Sequence, residues 1–186
     1  MIQWPHAPIH KLNVGGIFMV TAGTYRKFPY FASGPLLSHL QERLFELAVR
    51  YETRLQAWAI FPNHYHWIGA LECPGNLRRF VQHFHSASAR ELNRRLSTPG
   101  RQIWFQYWDS QIRRQRSFFS RLDYVHANAV HHGIVREASR YPWCSAGWFQ
   151  RAADLSFFST VMNFPTERLS VPDEFEATPL ESLDGE

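Results

Sequence analysis

Cysteine and lysine are scarce in this chain, and long apolar runs are missing. With only Cys73 and Cys144 among 186 residues, neither a disulfide framework nor a thiolate metal site is expected. The apolar runs are shorter than a membrane span, and the amino terminus lacks the charged-then-apolar layout of a signal peptide. These absences predict a soluble, cytoplasmic protein with no membrane partner.

Charge is unevenly distributed along the sequence. The formal net charge is +4, but residues 165–186 alone carry −6, which leaves +10 for residues 1–164. Arginine outnumbers lysine 18 to 2, and ten of the arginines lie within residues 76–121. The planar guanidinium suits phosphate oxygens and stacks on bases. This distribution favours a nucleic acid as partner over a merely solvated helix face, which normally mixes both signs of charge.

The length of the chain suits one hydrophobic core. We expect a main domain over residues 1–150 and a carboxy-terminal extension over residues 151–186, with no element predicted beyond residue 148. The extension is acidic, and its proline- and glutamate-rich part is expected to be flexible from about residue 165.

Apolar periodicity predicts a mixture of helices and strands. The predicted strands cover residues 15–24, 55–61 and 64–71, the helices cover residues 35–51, 77–96 and 117–130, and residues 102–108 form either a strand or an exposed aromatic platform. This order predicts an α+β sandwich, in which an antiparallel sheet has helices packed on one face.

Two histidines on a predicted strand are the first candidates for chemistry. Successive strand side chains point to opposite faces, so His64 and His66 share one face. Such a pair can bind one divalent ion, although a hydrogen-bonded pair on a sheet face is an equally good interpretation. His83 and His85 have the same spacing but lie on a predicted helix, where residues two apart do not face each other. We interpret them as solvent or phosphate contacts.

A tyrosine and an asparagine on the third predicted helix form a second candidate group. Tyr124 and Asn128 are four residues apart and therefore neighbours on one helix face. If that face covers the histidine pair, a nucleophile meets two imidazoles and an amide oxygen. The alternative is a core tyrosine with a hydrogen-bonded hydroxyl, which these residues alone leave open.

The ordered motifs of this chain resemble the REP-associated tyrosine transposases, a single-tyrosine family with a His-hydrophobic-His signature. The sequence AWAIFPNHYH at residues 57–66 is similar to that signature. The other similar segments follow in the family's order: residues 15–21 (first strand), 86–93 (basic helix), 103–109 (aromatic segment), 124–128 (nucleophile helix), and then Gly133, Val135 and residues 143–145. The resemblance spans about residues 14–150.

The resemblance implies a ferredoxin-like antiparallel sheet carrying the histidine pair, with the tyrosine helix packed across it. It implies a transposase or endonuclease that nicks and rejoins single-stranded DNA beside REP-like hairpins, with Tyr124 as nucleophile and a 5′-phosphotyrosine intermediate. The metal, Mg²⁺ or Mn²⁺, would be held by His64, His66 and Asn128, although two imidazoles also suit Zn²⁺. The protein is expected to be a monomer or homodimer. The candidate DNA-binding residues are arginines: Arg78, Arg79, Arg90, Arg94, Arg113 and Arg114.

The chain departs from the family's pattern at three places. Ala129 stands where a proline usually follows the asparagine, which bears on how the helix ends. Phe84-His85-Ser86 replaces a segment that commonly carries lysine, so one DNA contact is expected to be weaker or pH-sensitive. Phe61 replaces a methionine, which is a tolerable exchange in a core.

Two alternatives come from other functional classes. A domesticated relative could bind hairpin DNA or RNA without cutting it, and such a protein is expected to have lost the tyrosine or a histidine. A zinc hydrolase could use the same histidines with an activated water, and it would not need Tyr124.

Overall fold

One antiparallel sheet organises the computed structural model, which describes residues 15–73 and 75–164. Its strands are β1 (Gly16–Thr24), β2 (Thr53–Ile60), β3 (His64–Leu71) and β4 (Trp104–Ile112). The spatial order is β2-β3-β1-β4, with every neighbouring pair antiparallel. This is the ferredoxin-like order, which confirms the expected class. The aromatic run is thus a strand, and it lies at the edge of the sheet.

Two helices cover one face of the sheet. Helix α1 (Gly34–Arg50) begins with a proline in its first turn and buries leucines at helical spacing. Phe45 of α1 meets Trp58 edge-on at 4.9 Å, and Phe80 of α2 (Asn76–Arg95) stacks on Trp67 at 5.1 Å. Trp58 and Trp67 are cross-strand partners and therefore share a face. The two helices that connect the strands thus lie on one face, as expected.

A third helix covers the opposite face. In α3 (Gln115–His131), Tyr124 contacts His66, which alternates with Trp67 along β3. Leu122, Val125 and Ala129 of α3 are fully buried. Ala129, in place of the usual proline, lets α3 continue to His131, and Gly133 follows with a φ of +69°. The sheet is therefore enclosed between α1 and α2 on one side and α3 on the other.

Two short helices follow in a region for which the sequence predicts no element. They are α4 (Ala146–Ala152) and α5 (Leu155–Met162), and the side chain of Asp154 caps α5 by accepting a hydrogen bond from the Phe157 amide. Phe157 meets Phe149 of α4 and Phe119 of α3 at 5.7 and 5.8 Å. Residues on both sides of position 150 thus pack behind α3, and the boundary placed there stays a prediction. The acidic segment from residue 165 lies outside the described residues.

No helix within residues 15–73 and 75–164 is both long and apolar enough to span a bilayer. Cys144 is buried and Cys73 is exposed, and neither forms a disulfide.

Candidate active site

The site begins with the two histidines of β3. His64 and His66 lie on one face of the sheet, with ring centroids 5.2 Å apart and side chains 1% and 0% exposed. The strand alternation places them together, as predicted, while Tyr65 between them points to the α2 side and contacts Phe84. The two imidazoles are therefore neighbours in a site from which bulk water is largely excluded.

Each histidine ring is oriented through its Nδ1 atom. Asn63 Oδ1 lies 2.8 Å from His64 Nδ1, and Thr21 Oγ1 lies 2.8 Å from His66 Nδ1. The amide nitrogen of Asn63 donates to the Lys27 carbonyl, so its oxygen faces the ring and accepts from His64 Nδ1–H. His64 then carries its lone pair on Nε2, which is the tautomer that a metal-binding imidazole needs.

These orienting residues are absent from the sequence-predicted site. Asn63 reads as part of a turn beside Pro62, and Thr21 as an ordinary position of the first strand. The sequence shows that Asn63 is adjacent to His64. It does not show that Thr21 pairs with His66, because that pairing depends on which strand lies beside β3.

Tyr124 approaches the histidine pair from α3. Its ring lies 5.4 Å from that of His66, nearly perpendicular to it, and its side chain is half-buried. Asn128, one helical turn further along the same face, is fully buried. The structure therefore brings Tyr124 against His66 and places Asn128 on the face of α3 that turns toward the sheet.

A further histidine, His132, lies at the end of α3. Its ring is 4.9 Å from that of His64 and 5.4 Å from that of Phe61. The sequence suggests only a helix stop here, although positions 124, 128 and 132 follow the four-residue spacing of one helix face. Within residues 15–73 and 75–164, no group of three or more His, Cys, Asp or Glu side chains is arranged to hold a metal ion. A metal at the histidine pair would therefore need a ligand of another type, such as the amide oxygen of Asn128.

One partly buried carboxyl group precedes the tyrosine in the sequence of α3. Asp123 is half-buried, and its burial raises the pKa of that carboxyl to about 6. Asp123 precedes Tyr124 on α3, and consecutive residues of a helix point in different directions, so this carboxyl does not share the helix face of Tyr124.

The second histidine pair has a different environment from the one expected. The interpretation of His83 and His85 as solvent or phosphate contacts is wrong for His85, which is largely buried, and stays a prediction for His83, which is partly exposed, although each ring contacts a tyrosine hydroxyl. His83 Nδ1 is 3.2 Å from Tyr51 Oη, and His85 Nε2 is 2.8 Å from Tyr65 Oη. His85 also stacks on Trp104 at 4.6 Å, and burial lowers the pKa of its imidazole to about 3. The His85 ring is therefore a packing element between α2 and the sheet.

The candidate DNA-binding arginines fall into two groups, and all of them are exposed. One group lies on α2, which covers the sheet face opposite to Tyr124, and Arg94 within it forms an ion pair with Glu91 at 2.8 Å. The second group, Arg113 and Arg114, connects β4 to α3, and Arg113 donates to Gln111. The α2 group comprises Arg78, Arg79, Arg90 and Arg94.

This arrangement of a histidine pair and a helix-borne tyrosine coincides with a family match. Residues 17–127, well over half of the chain, match the model of the family described as Transposase IS200 like. The chain belongs to this transposase family. The matched segment contains His64, His66 and Tyr124 and ends one residue before Asn128.

Individual relatives of this chain agree with the family match. A REP-associated tyrosine transposase of Escherichia coli (strain K12) is 28% identical over 92 residues, which make up 48% of this chain and 52% of that protein. The chain thus spans about half the length of this curated relative. A solved structure of a REP-associated tyrosine transposase bound to a REP hairpin superposes with a TM-score of 0.64. It is 19% identical and covers 84% of this chain and 90% of its own, so this likeness establishes the fold alone.

Proposed function

We propose that this transposase is a metal-dependent, single-tyrosine endonuclease that nicks and rejoins single-stranded DNA beside a hairpin. The observation that carries the proposal is the contact between Tyr124 of α3 and His66 of the adjacent sheet, whose ring centroids are 5.4 Å apart. A tyrosine in a purely structural role does not need to lie against one member of a pair of buried, oriented imidazoles. The hairpin part of the proposal is supported by the solved relative, whose DNA is a REP hairpin.

The chemistry assigned to Tyr124 is nucleophilic substitution at phosphorus. Its hydroxyl oxygen would give up its proton, attack the scissile phosphorus and form a phosphotyrosine with the 5′-phosphate end of the cut strand. The bond from phosphorus to the 3′ oxygen would break, and that oxygen would take up a proton and leave as a 3′-hydroxyl. The new ester conserves the phosphodiester energy. A second 3′-hydroxyl can therefore reverse the step and join new ends without ATP.

The residues present fit a divalent cation, Mg²⁺ or Mn²⁺. His64 and His66 are buried on one face with Nδ1 engaged by oxygen atoms, an arrangement that aims Nε2 as the ligand atom. Asn128 would add an amide oxygen from α3. A bound ion would polarise the phosphate and neutralise the charge that develops during attack. The protein's own contribution is to orient the two rings and to hold Tyr124 beside them.

The proposal is tested by capture of the covalent intermediate. A labelled single strand carrying a hairpin is incubated with the protein and Mg²⁺ or Mn²⁺, then run on a denaturing gel. We expect a protein–DNA adduct that Tyr124→Phe abolishes. Tyr107→Phe is the matched control, because Tyr107 is also half-buried but lies on the α2 side of the sheet, and it should leave the adduct intact.

The other outcomes separate the alternatives. An undiminished adduct in Tyr124→Phe would refute the assignment of the nucleophile. Tight hairpin binding by the unaltered protein with no adduct under either metal would favour the alternative function, a hairpin-binding protein that does not cleave. Strand cleavage that persists without Tyr124 and requires Zn²⁺ would favour the hydrolase.

A further inference from the structure

An exposed tryptophan lies in the same row of the sheet as the histidine pair. Trp108 of β4 is the cross-strand partner of Thr21 in β1, and Thr21 is the partner of His66 in β3. Cross-strand partners point to the same face, so these three side chains share the face that α3 covers. Neighbouring strands are about 4.8 Å apart, which puts the backbone of Trp108 roughly 10 Å from that of His66.

The row changes from buried to open along its length. His66 and Thr21 are 0% and 2% exposed, whereas Trp108 is 40% exposed. The cause is the position of β4 at the edge of the sheet, where Gln106 is exposed and Ser110 only partly covered. The indole of Trp108 is therefore exposed to solvent on the same sheet face as the buried histidine pair.

The residues that follow Trp108 along the chain indicate which kind of ligand this exposed indole suits. Strand β4 leads into Arg114, which is exposed, lies roughly 20 Å beyond Trp108 along the extended chain, and has a guanidinium group that suits phosphate oxygens. Arg113 instead donates to Gln111, which points to the other face of the sheet. A ligand that presents a flat aromatic face to Trp108 and negative charge to Arg114 across this distance has the chemistry of an unpaired strand of several nucleotides. Duplex DNA does not fit, because its base faces are already stacked inside the helix.

We propose that Trp108 is a positioning residue on which one unpaired base stacks, next to the phosphate that Tyr124 attacks. This inference rests on the proposed function and adds to it the point at which the strand is held. Stacking there fixes the register of the strand, and register decides which phosphate reaches Tyr124. The residue touches a base rather than the reacting atoms.

The same strand supplies a matched control. Phe105 is 53% exposed, but it lies outside the row of His66, near the irregular start of the β1–β4 pairing and beside Tyr25 at 6.4 Å. If every exposed aromatic side chain contributed to strand affinity regardless of its position, Phe105 and Trp108 would contribute equally. If position decides, only Trp108 matters.

The experiment measures binding and cleavage separately. Affinity for a hairpin-bearing single strand is measured by fluorescence anisotropy in EDTA, for the unaltered protein, Trp108→Leu, Trp108→Phe and Phe105→Leu. The strand is used intact and with one abasic site moved through each unpaired position. Adduct formation with Mn²⁺ is recorded on the same strands, and thermal unfolding verifies that each variant is folded.

We expect Trp108→Leu to weaken binding of the intact strand by about 5- to 150-fold, with Trp108→Phe close to the unaltered protein and Phe105→Leu within about twofold. One abasic position, or two adjacent ones, should cost the unaltered protein a similar factor and cost Trp108→Leu nothing more. Equal binding by Trp108→Leu, or additive losses at every position, would overturn the inference. If affinity is lost at one position but the unaltered protein forms no adduct, the stacking role of Trp108 would be supported and the proposed endonuclease activity would be refuted.

Discussion

Thr21→Val tests whether the histidine pair is a metal site or a packed core pair. The substitution replaces the hydroxyl by a methyl group of similar size at a side chain that is 2% exposed, so it mainly removes the oxygen 2.8 Å from His66 Nδ1. Loss of one partner in a buried polar pair costs about 1–3 kcal/mol of folding free energy. Loss of an orienting contact to a metal-binding histidine costs about 10- to 100-fold in metal affinity or activity.

The assay for Thr21→Val is adduct yield against Mn²⁺ concentration. We expect the half-saturating Mn²⁺ concentration to rise at least tenfold, with DNA affinity in EDTA unchanged. Thr53→Val is the control, since Thr53 is also a buried strand threonine, but its hydroxyl donates to the Tyr51 carbonyl at the far end of β2. The reasoning fails if Thr21→Val and Thr53→Val require the same Mn²⁺ concentration as the unaltered protein.

Three other predictions concern the metal, the substrate and pH. His64→Ala should abolish cleavage while DNA binding persists, and the control variant His83→Ala should cleave normally. If metal-dependent cleavage were lost only in His83→Ala, the assignment of His64 as a metal ligand would be wrong. At equal salt, a perfect duplex should not be cleaved while the hairpin-bearing strand is, and replacing Arg78 and Arg79 should weaken binding to all sequences alike and reduce its salt slope by about one per residue. Because burial lowers the pKa of His85 to about 3, its neutral form favours folding above the unfolded pKa near 6.5, and that stability is lost as pH falls toward 3. In urea unfolding between pH 7 and 5, His85 should contribute a loss of about 1 kcal/mol per pH unit below 6.5, which His85→Gln removes, while His126, whose pKa burial also lowers to about 3, keeps its own share. An identical pH slope in the variant would contradict this.

Local periodicity accounts for what the sequence predicted correctly within each element. A period of two puts His64 and His66 on one face of a strand, and a period near 3.6 puts Tyr124 and Asn128 on one face of a helix. These directions follow from backbone geometry and need no knowledge of the rest of the chain. The same rule extends to His132, which the helical spacing indicates once α3 is known to end at His131.

Tertiary structure alone decided which of these faces meet. Periodicity says where a side chain points, but strand order and helix placement depend on contacts between residues far apart in the chain, such as Thr21 with His66. It is this packing that puts α3 on the histidine face, turns the arginines of α2 to the opposite side, and leaves Trp108 exposed on an edge strand beside the site. The sequence by itself determined the chemical groups and their local directions. The shared row of His66, Thr21 and Trp108 exists only because β1 lies between β3 and β4.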